Sequence, residues 1–152
     1  MPETSRLISQ CFIKLDGTLV PEDMMRSLFE VVVENSLHMP DVATTVLNDP
    51  QLKWTADPRF APGRVVEIET SAPPTKSHAG AVFDGEIVEV EPEFGAETHR
   101  LTIRAFDRLH RLSRGRRVRS FQNVTDSDIA QRMAAEAGLQ AEVTPTRQVH
   151  PY

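Results

Sequence analysis

From residue 82 to residue 121 the chain reads VFDGEIVEVEPEFGAETHRLTIRAFDRLHRLSRGRRVRSF, and this stretch leaves little freedom in what the protein can fold into. Leu101, Ile103 and Ala105 alternate with Arg100, Thr102 and Arg104, so one strand face is apolar and the other largely basic. Upstream, EIVEVE alternates too, except where Ile87 and Val88 are both apolar. A bulge near Gly85, or burial on both faces, accounts for that slip. Gly95-Ala96-Glu97 is a short glycine-containing link of the kind that closes a hairpin. The spacing predicts antiparallel strands over 82–93 and 98–107. One or two helical turns follow over 107–112, closed by Gly115, and a third strand runs on to Phe121.

Everything before the hairpin reads as shorter strands able to pair onto it. Cys11, Ile13 and Leu15 alternate with Phe12 and Lys14, and Asp16-Gly17 turns that strand back into 18–20. Pro21 opens a helical turn, because proline is tolerated at a helix start. In LFEVVVEN, residues 28–35, Phe29, Val31 and Val33 share one face, and 42–47 forms another strand. Pro50, Pro58 and Pro62 mark 48–63 as a loop with a helical turn near Trp54. Over 64–70, Val66 and Ile68 point inward and Glu67 and Glu69 outward. SAPPTKSHAG, 71–80, reads as a flexible loop.

After Phe121 the pattern changes period. Thr125 caps a helix over 125–138, and Asp128 three residues on completes a capping box. Ile129, Met133 and Ala137 share a face, Gly138 stops the helix, and a last strand is expected over 140–144. Together these patterns predict a mainly β protein. A β-barrel-like domain spans 1–121, and 122–152 is the start of a small helical or α/β extension.

Charge is distributed unevenly. Eight of the 17 basic residues (Arg100, Arg104, Arg108, Arg111, Arg114, Arg116, Arg117 and Arg119) fall within twenty positions that hold one acid, Asp107. The rest of the chain therefore has 17 − 8 = 9 basic residues against 22 − 1 = 21 acids. A segment of this kind meets an acidic partner, a phosphate backbone, or acidic surface of its own chain or a neighbouring subunit. Arginine is enriched at protein interfaces. A solvated strand is the plain alternative. A stand-alone polyanion-binding or nucleic-acid-binding barrel could use Arg114, Arg116, Arg117 and Arg119 with Phe121. Against it stand the acidic remainder and an aromatic content of 6%, too low for a stacking platform of several bases.

Catalytic constellations are weak. Asp107 and His110 form a candidate acid/base couple, more simply read as a surface helix with mixed charge. Cys11 falls on a strand face, where a free cysteine is usually a small core residue. As the single cysteine it forms no internal disulfide, which fits a reducing compartment. His38, His78, His99 and His150 lack metal-ligand spacing, and Gly80, Gly85 and Gly95 make no phosphate-cradling loop. No pair of carboxylates suits a wall-degrading hydrolase attached to a larger machine. Neither a cofactor nor a metal is expected. No apolar run approaches the roughly 20 residues of a helical membrane span, and MPETSRLISQ is not a signal peptide.

Several ordered blocks carry a resemblance: F-D-G-E-I and E-P-E-F, then L-T-I-R-A-F-D-R-L-H-R-L, R-G-R-R-V-R-S-F and N-V-T-D-S-D-I-A. With the earlier VENSLHMPDVATTVLND, they make most of the chain from about 28 to 143 similar to late control D / VgrG-like hub proteins of contractile injection systems. These systems include phage tails, type VI secretion spikes and extracellular tail-like particles, and the flavour is closest to the last. The resemblance implies a structural part rather than an enzyme. Hubs of this family are trimers whose subunits each contribute two barrel-like domains, so three chains present a pseudo-sixfold ring to the inner tube. It implies self-association, contact with inner tube, spike and baseplate proteins, and synthesis in the bacterial cytoplasm without a leader. The product would be part of an assembled particle, in some systems released from the cell. The family continues into a second barrel, a neck and a spike. A chain ending at Tyr152 is therefore expected to be a fragment, or a relative whose missing parts lie in another polypeptide. For the contact surface, Arg108, Arg111, Arg114, Arg116, Arg117 and Arg119 are the expected basic side. Glu67 and Glu69 are the expected acidic counterpart.

Overall fold

The structure, a computed structural model, describes residues 10–71, 81–96 and 98–151. Residues 72–80 of the expected loop, and Glu97 of the hairpin link, lie outside the described residues. The chain divides into two compact units, Met1–Asp107 and Arg108–Tyr152.

The first unit is a seven-stranded antiparallel sheet curled into a half-barrel. Its strands are β1 (Gln10–Leu15), β2 (Thr18–Leu19), β3 (Leu28–Glu34), β4 (Val42–Asn48), β5 (Val65–Ser71), β6 (Ala81–Phe94) and β7 (His99–Asp107). They lie in the order β2-β1-β5-β6-β7-β4-β3, so the long β6–β7 hairpin is central and the earlier strands add to both its sides. Asp16 (φ 49°) and Gly17 (φ 77°) make the tight β1–β2 turn. Two consecutive left-handed residues are what a hairpin needs to match strand twist.

The core follows the alternation. Leu101, Ile103 and Ala105 of β7 are buried, as are Val66 and Ile68 of β5 and Ile13 and Leu15 of β1. Ile103 lies opposite Val90 on one side and Thr45 on the other. The slip in β6 is a bulge: Ile87 faces Ala105 and Glu89 faces Arg104, leaving Val88 extra. It therefore sits two to three residues beyond Gly85. Gly85 has a different constraint, since a Cβ there would meet the Phe106 carbonyl oxygen at 2.3 Å and the Phe83 ring at 2.5 Å. A second bulge, between Leu28 and Glu30, corrects the reading of β3. Val31 and Val33 pack on the core, but Phe29 is turned outward, 53% exposed, with the Arg100 guanidinium 4.2 Å from its ring centre.

A helix α1 (Glu22–Ser27) brings buried Met24 to the core, and Trp54 and Phe60 come from the 48–63 segment. That segment turns around Trp54 and makes a short 3-10 turn at Pro58–Phe60. Asp49 organises it, its carboxylate accepting from the Trp54 and Thr55 N–H groups.

The second unit holds α2 (His110–Ser113), β8 (Val124–Thr125), α3 (Asp126–Glu136) and β9 (Val149–His150), with β8 and β9 paired antiparallel. Thr125 caps α3 as expected: its hydroxyl accepts from the Asp128 N–H, and the Asp128 carboxylate accepts from the Thr125 N–H. At the other end Gly138 is left-handed (φ 67°), with Gly138 N–H donating to Ala135 and Leu139 N–H to Ala134. That is the paired-bond helix stop the glycine was expected to make. Ser127 and Thr146 exchange backbone-to-hydroxyl hydrogen bonds at 3.1 and 3.2 Å, tying the C-terminal segment to the start of α3.

Three expectations fail in this unit. Residues 115–122 are irregular chain rather than a strand, because no strand among the described residues pairs with them. The last strand is Val149–His150 rather than 140–144, since β8 offers only two residues to pair with. Gly115 is not left-handed and does not close α2, which runs into Arg114 in helical conformation.

Candidate arginine cradle

The second unit contains a cavity of about 470 Å³ lined by Arg111, Arg114, Arg116, Arg117, Arg119 and Phe121, together with side chains of α3. Chain geometry explains the concentration of guanidinium groups. Arg114, Arg116, Arg117 and Arg119 follow one another closely where α2 gives way to irregular chain over 115–122, and the last turn of α3 forms the opposite wall through Met133, Glu136 and Ala137. Those three positions share one helix face. From the sequence, Met133 shares a face with Ile129 and Ala137. Ile129 is half-buried, but Met133 is 51% exposed and belongs to the cavity, and Val143 lies in unpaired chain.

The arginines differ in what they already hold. Arg111 donates to the carbonyls of Ala137 at 2.9 Å and Gly138 at 3.4 Å. It thus satisfies the open C-terminal end of α3 and complements its negative pole. Arg114 lies 2.8 Å from Nε2 of buried His110. A guanidinium can only donate, so the ring nitrogen accepts. Arg119 donates to the Glu136 carboxylate, and Arg117 stands 3.7 Å from its other oxygen. The hydrogen bond from Arg119 holds the Glu136 carboxyl below its ordinary range and the Arg119 guanidinium above its own. Arg116 makes no ion pair among the described residues, and Arg108 lies in the turn before α2, outside the lining.

The basic run is thus not one surface. Arg100 and Arg104 belong to β7 in the first unit, where Arg104 reaches Glu89 at 2.6 Å and Glu91 at 3.7 Å. Glu67 and Glu69 stand on β5, both held by Lys14 of β1, at 3.4 and 2.7 Å. The Glu69 hydrogen bond raises the Lys14 ammonium above its usual value, so these carboxylates already have a cation beside them. Glu136 was not singled out from the sequence, and Met133 was read there only as part of a helix face. The available signal was an acid and a methionine three apart, one turn before the Gly138 stop.

Cys11 is half-buried against the core, and burial pushes its thiol pKa up, away from the reactive thiolate. Among the described residues no cluster of His, Cys, Asp and Glu could hold a metal ion, and no helix is long and apolar enough to cross a membrane.

The sequence matches the family model of the Alg8 N-terminal domain over residues 5–152. The chain belongs to that family. No curated protein matches it. Among solved structures, the chain is similar to a 43 kDa tail protein of prophage MuSo2 from Shewanella oneidensis, with a TM-score of 0.67 and 15% identity. That match covers 95% of this chain and 43% of the tail protein. It is also similar to a tail protein from Neisseria meningitidis MC58, with a TM-score of 0.52 and 15% identity over 84% of this chain and 33% of that one. The Alg8 N-terminal-domain chain thus spans less than half the length of either tail protein. At this identity the shared property is the fold.

Proposed function

We propose that this chain is a non-catalytic structural component of a phage-tail-like contractile apparatus, acting at its hub in the manner of late control D / VgrG-like proteins. The observation that carries this reading is the common fold with the prophage MuSo2 tail protein across 95% of the chain. In the proposed role the half-barrel of 1–107 packs beside copies of itself, three to a ring. That ring meets the inner tube on one side and spike and baseplate proteins on the other. The second unit, with its run of arginines on and after α2, is an assembly surface rather than an active site.

The test is biochemical. Tail-like particles from a producing cell would be sedimented and probed for this chain, in the presence and absence of its gene. Co-sedimentation with particles, and particles that fail to form without it, is the expected result. Complete, functional particles formed without the chain would overturn the reading.

A further inference from the structure

We propose that the arginine cradle of one copy receives the tip of the β6–β7 hairpin of a second copy, with Glu91, Glu93 and Phe94 as the entering residues. The inference rests on the reading of the chain as a self-assembling tail component and names the surfaces that would meet.

The cradle has two guanidinium groups to offer. Arg111, Arg114 and Arg119 are engaged by helix-end carbonyls, His110 and Glu136. Arg116 has no ion pair among the described residues, and Arg117 has only a long contact of 3.7 Å. Beside them Leu112 (46% exposed) and Met133 (51% exposed) present aliphatic and thioether surface, and Phe121 is half-buried. A cavity of about 470 Å³ that sets arginines beside leucine, methionine and phenylalanine surface suits a few side chains of a peptide segment. The matching ligand carries carboxylates next to a large apolar group.

The hairpin tip has that chemistry. Phe94 is 64% exposed at the end of β6, beside Glu93, which makes no ion pair among the described residues. Glu91 is loosely held, 3.7 Å from Arg104. The segment also overhangs the sheet. β5 pairs with β6 only as far as Glu86, so residues 88–94 are bonded to β7 on one side and, among the described residues, have no strand on the other. Repeated glutamates on such an edge discourage indiscriminate strand addition while leaving the segment displayed. Glu67 and Glu69 match the cradle less well, because Lys14 already stands against both and offsets part of their charge. Single-stranded nucleic acid matches it less well too: Glu136 stands in the wall and Phe121 is the one aromatic lining residue.

The experiment uses the whole 152-residue chain in analytical ultracentrifugation over a concentration series. Each variant is first shown to keep the wild-type melting curve. The wild type is expected to self-associate. Arg116→Glu with Arg117→Glu, Glu91→Arg with Glu93→Arg, and the uncharged Phe94→Ser should each weaken association by about tenfold or more. Mixing the two charge-reversed chains should restore it. A wild type that stays monomeric, or association untouched by all three variants, overturns the proposal. So does tight, salt-sensitive binding of single-stranded DNA by a chain that does not self-associate. Incorporation into particles is scored separately. If Arg116→Glu with Arg117→Glu blocks incorporation while the wild type is monomeric, the cradle serves another tail component and only the choice of occupant fails. Particles that assemble without the chain remove the assembly reading itself.

Discussion

The Asp49 carboxylate accepts both the backbone N–H and the side-chain hydroxyl of Thr55, each at 2.7 Å. Asp49 is 1% exposed, and it also accepts from the Trp54 N–H at 3.1 Å. One side chain therefore pins the turn that delivers Trp54 to the core. Burial pushes the carboxyl pKa up. The Thr55 hydroxyl and the N–H groups of Trp54, Thr55 and Lys53 together outweigh it, leaving the group below its ordinary value of 3.8. A carboxylate with a depressed folded pKa contributes stability that is present above the ordinary value and lost as pH falls through the folded one. Asp49→Ala is expected to cost about 2–3 kcal/mol at neutral pH, since buried donors lose a charged acceptor. Denaturant melts should show the gap between wild type and variant starting to narrow only below about pH 4 and narrowing further as pH falls through the lower folded value.

Ile103 tests the sheet. With Val90 and Thr45 directly opposite it and 4% of its surface exposed, truncation to alanine should cost about 2–5 kcal/mol. Ile103→Asp should prevent folding or cost at least as much, by burying an unpaired charge. Thr102→Ser, one residue along on the opposite face, should stay within about 0.5 kcal/mol of wild type. Equal denaturation midpoints for Ile103→Ala and Thr102→Ser would mean that the inward face has been misassigned.

Why the sheet was legible and the cradle only half so follows from these same residues. Period-two patterns determine which face of β5 and β7 is buried, because a strand offers its side chains alternately and the unit has one core. They cannot position a bulge. The Phe29 displacement and the location of the extra Val88 depend on how two strands meet, which neither strand encodes alone. Capping at Thr125 and stopping at Gly138 were visible because both are local chemistry. The arginine run is visible as charge, but from the sequence its segment reads as a strand. Nothing in 114–121 itself says that a pairing partner is missing. The partition of the guanidinium groups among Ala137, His110 and Glu136 needed three-dimensional proximity across 17 to 26 residues for all but the His110 contact.

The second unit should respond to its own caps. Thr125→Ala removes the hydroxyl that accepts from Asp128 N–H and should destabilise the unit by about 1 kcal/mol. Gly138→Ala meets two penalties: a left-handed backbone at φ 67° and a Cβ 2.9 Å from Arg111 Nη1. It is expected to cost about 1–2 kcal/mol from the backbone alone. Amide exchange read along 126–137 should quicken in both variants while β7 amides keep their protection. Uniform acceleration across β7 as well would contradict independent responses of the two units.

Glu136 is an acid facing a run of arginines, and its replacement gives the sharpest test of what the cradle accepts. Its carboxylate occupies Arg119 and lies near Arg117, as an incoming carboxylate would. Because the Arg119 hydrogen bond holds its pKa below the ordinary 4.5, the internal pair persists as pH falls through the usual carboxylate range and is lost only lower. Glu136→Gln removes that charge at every pH while preserving shape. If the cradle binds an acidic segment, this variant frees positive potential for the ligand. Self-association should then tighten by about threefold to tenfold at low salt. The gain should shrink as ionic strength shortens the reach of the charges. Sedimentation at two salt concentrations reads both effects. If Glu136→Gln instead weakens association at both, Glu136 serves to position Arg117 and Arg119 rather than to compete for them.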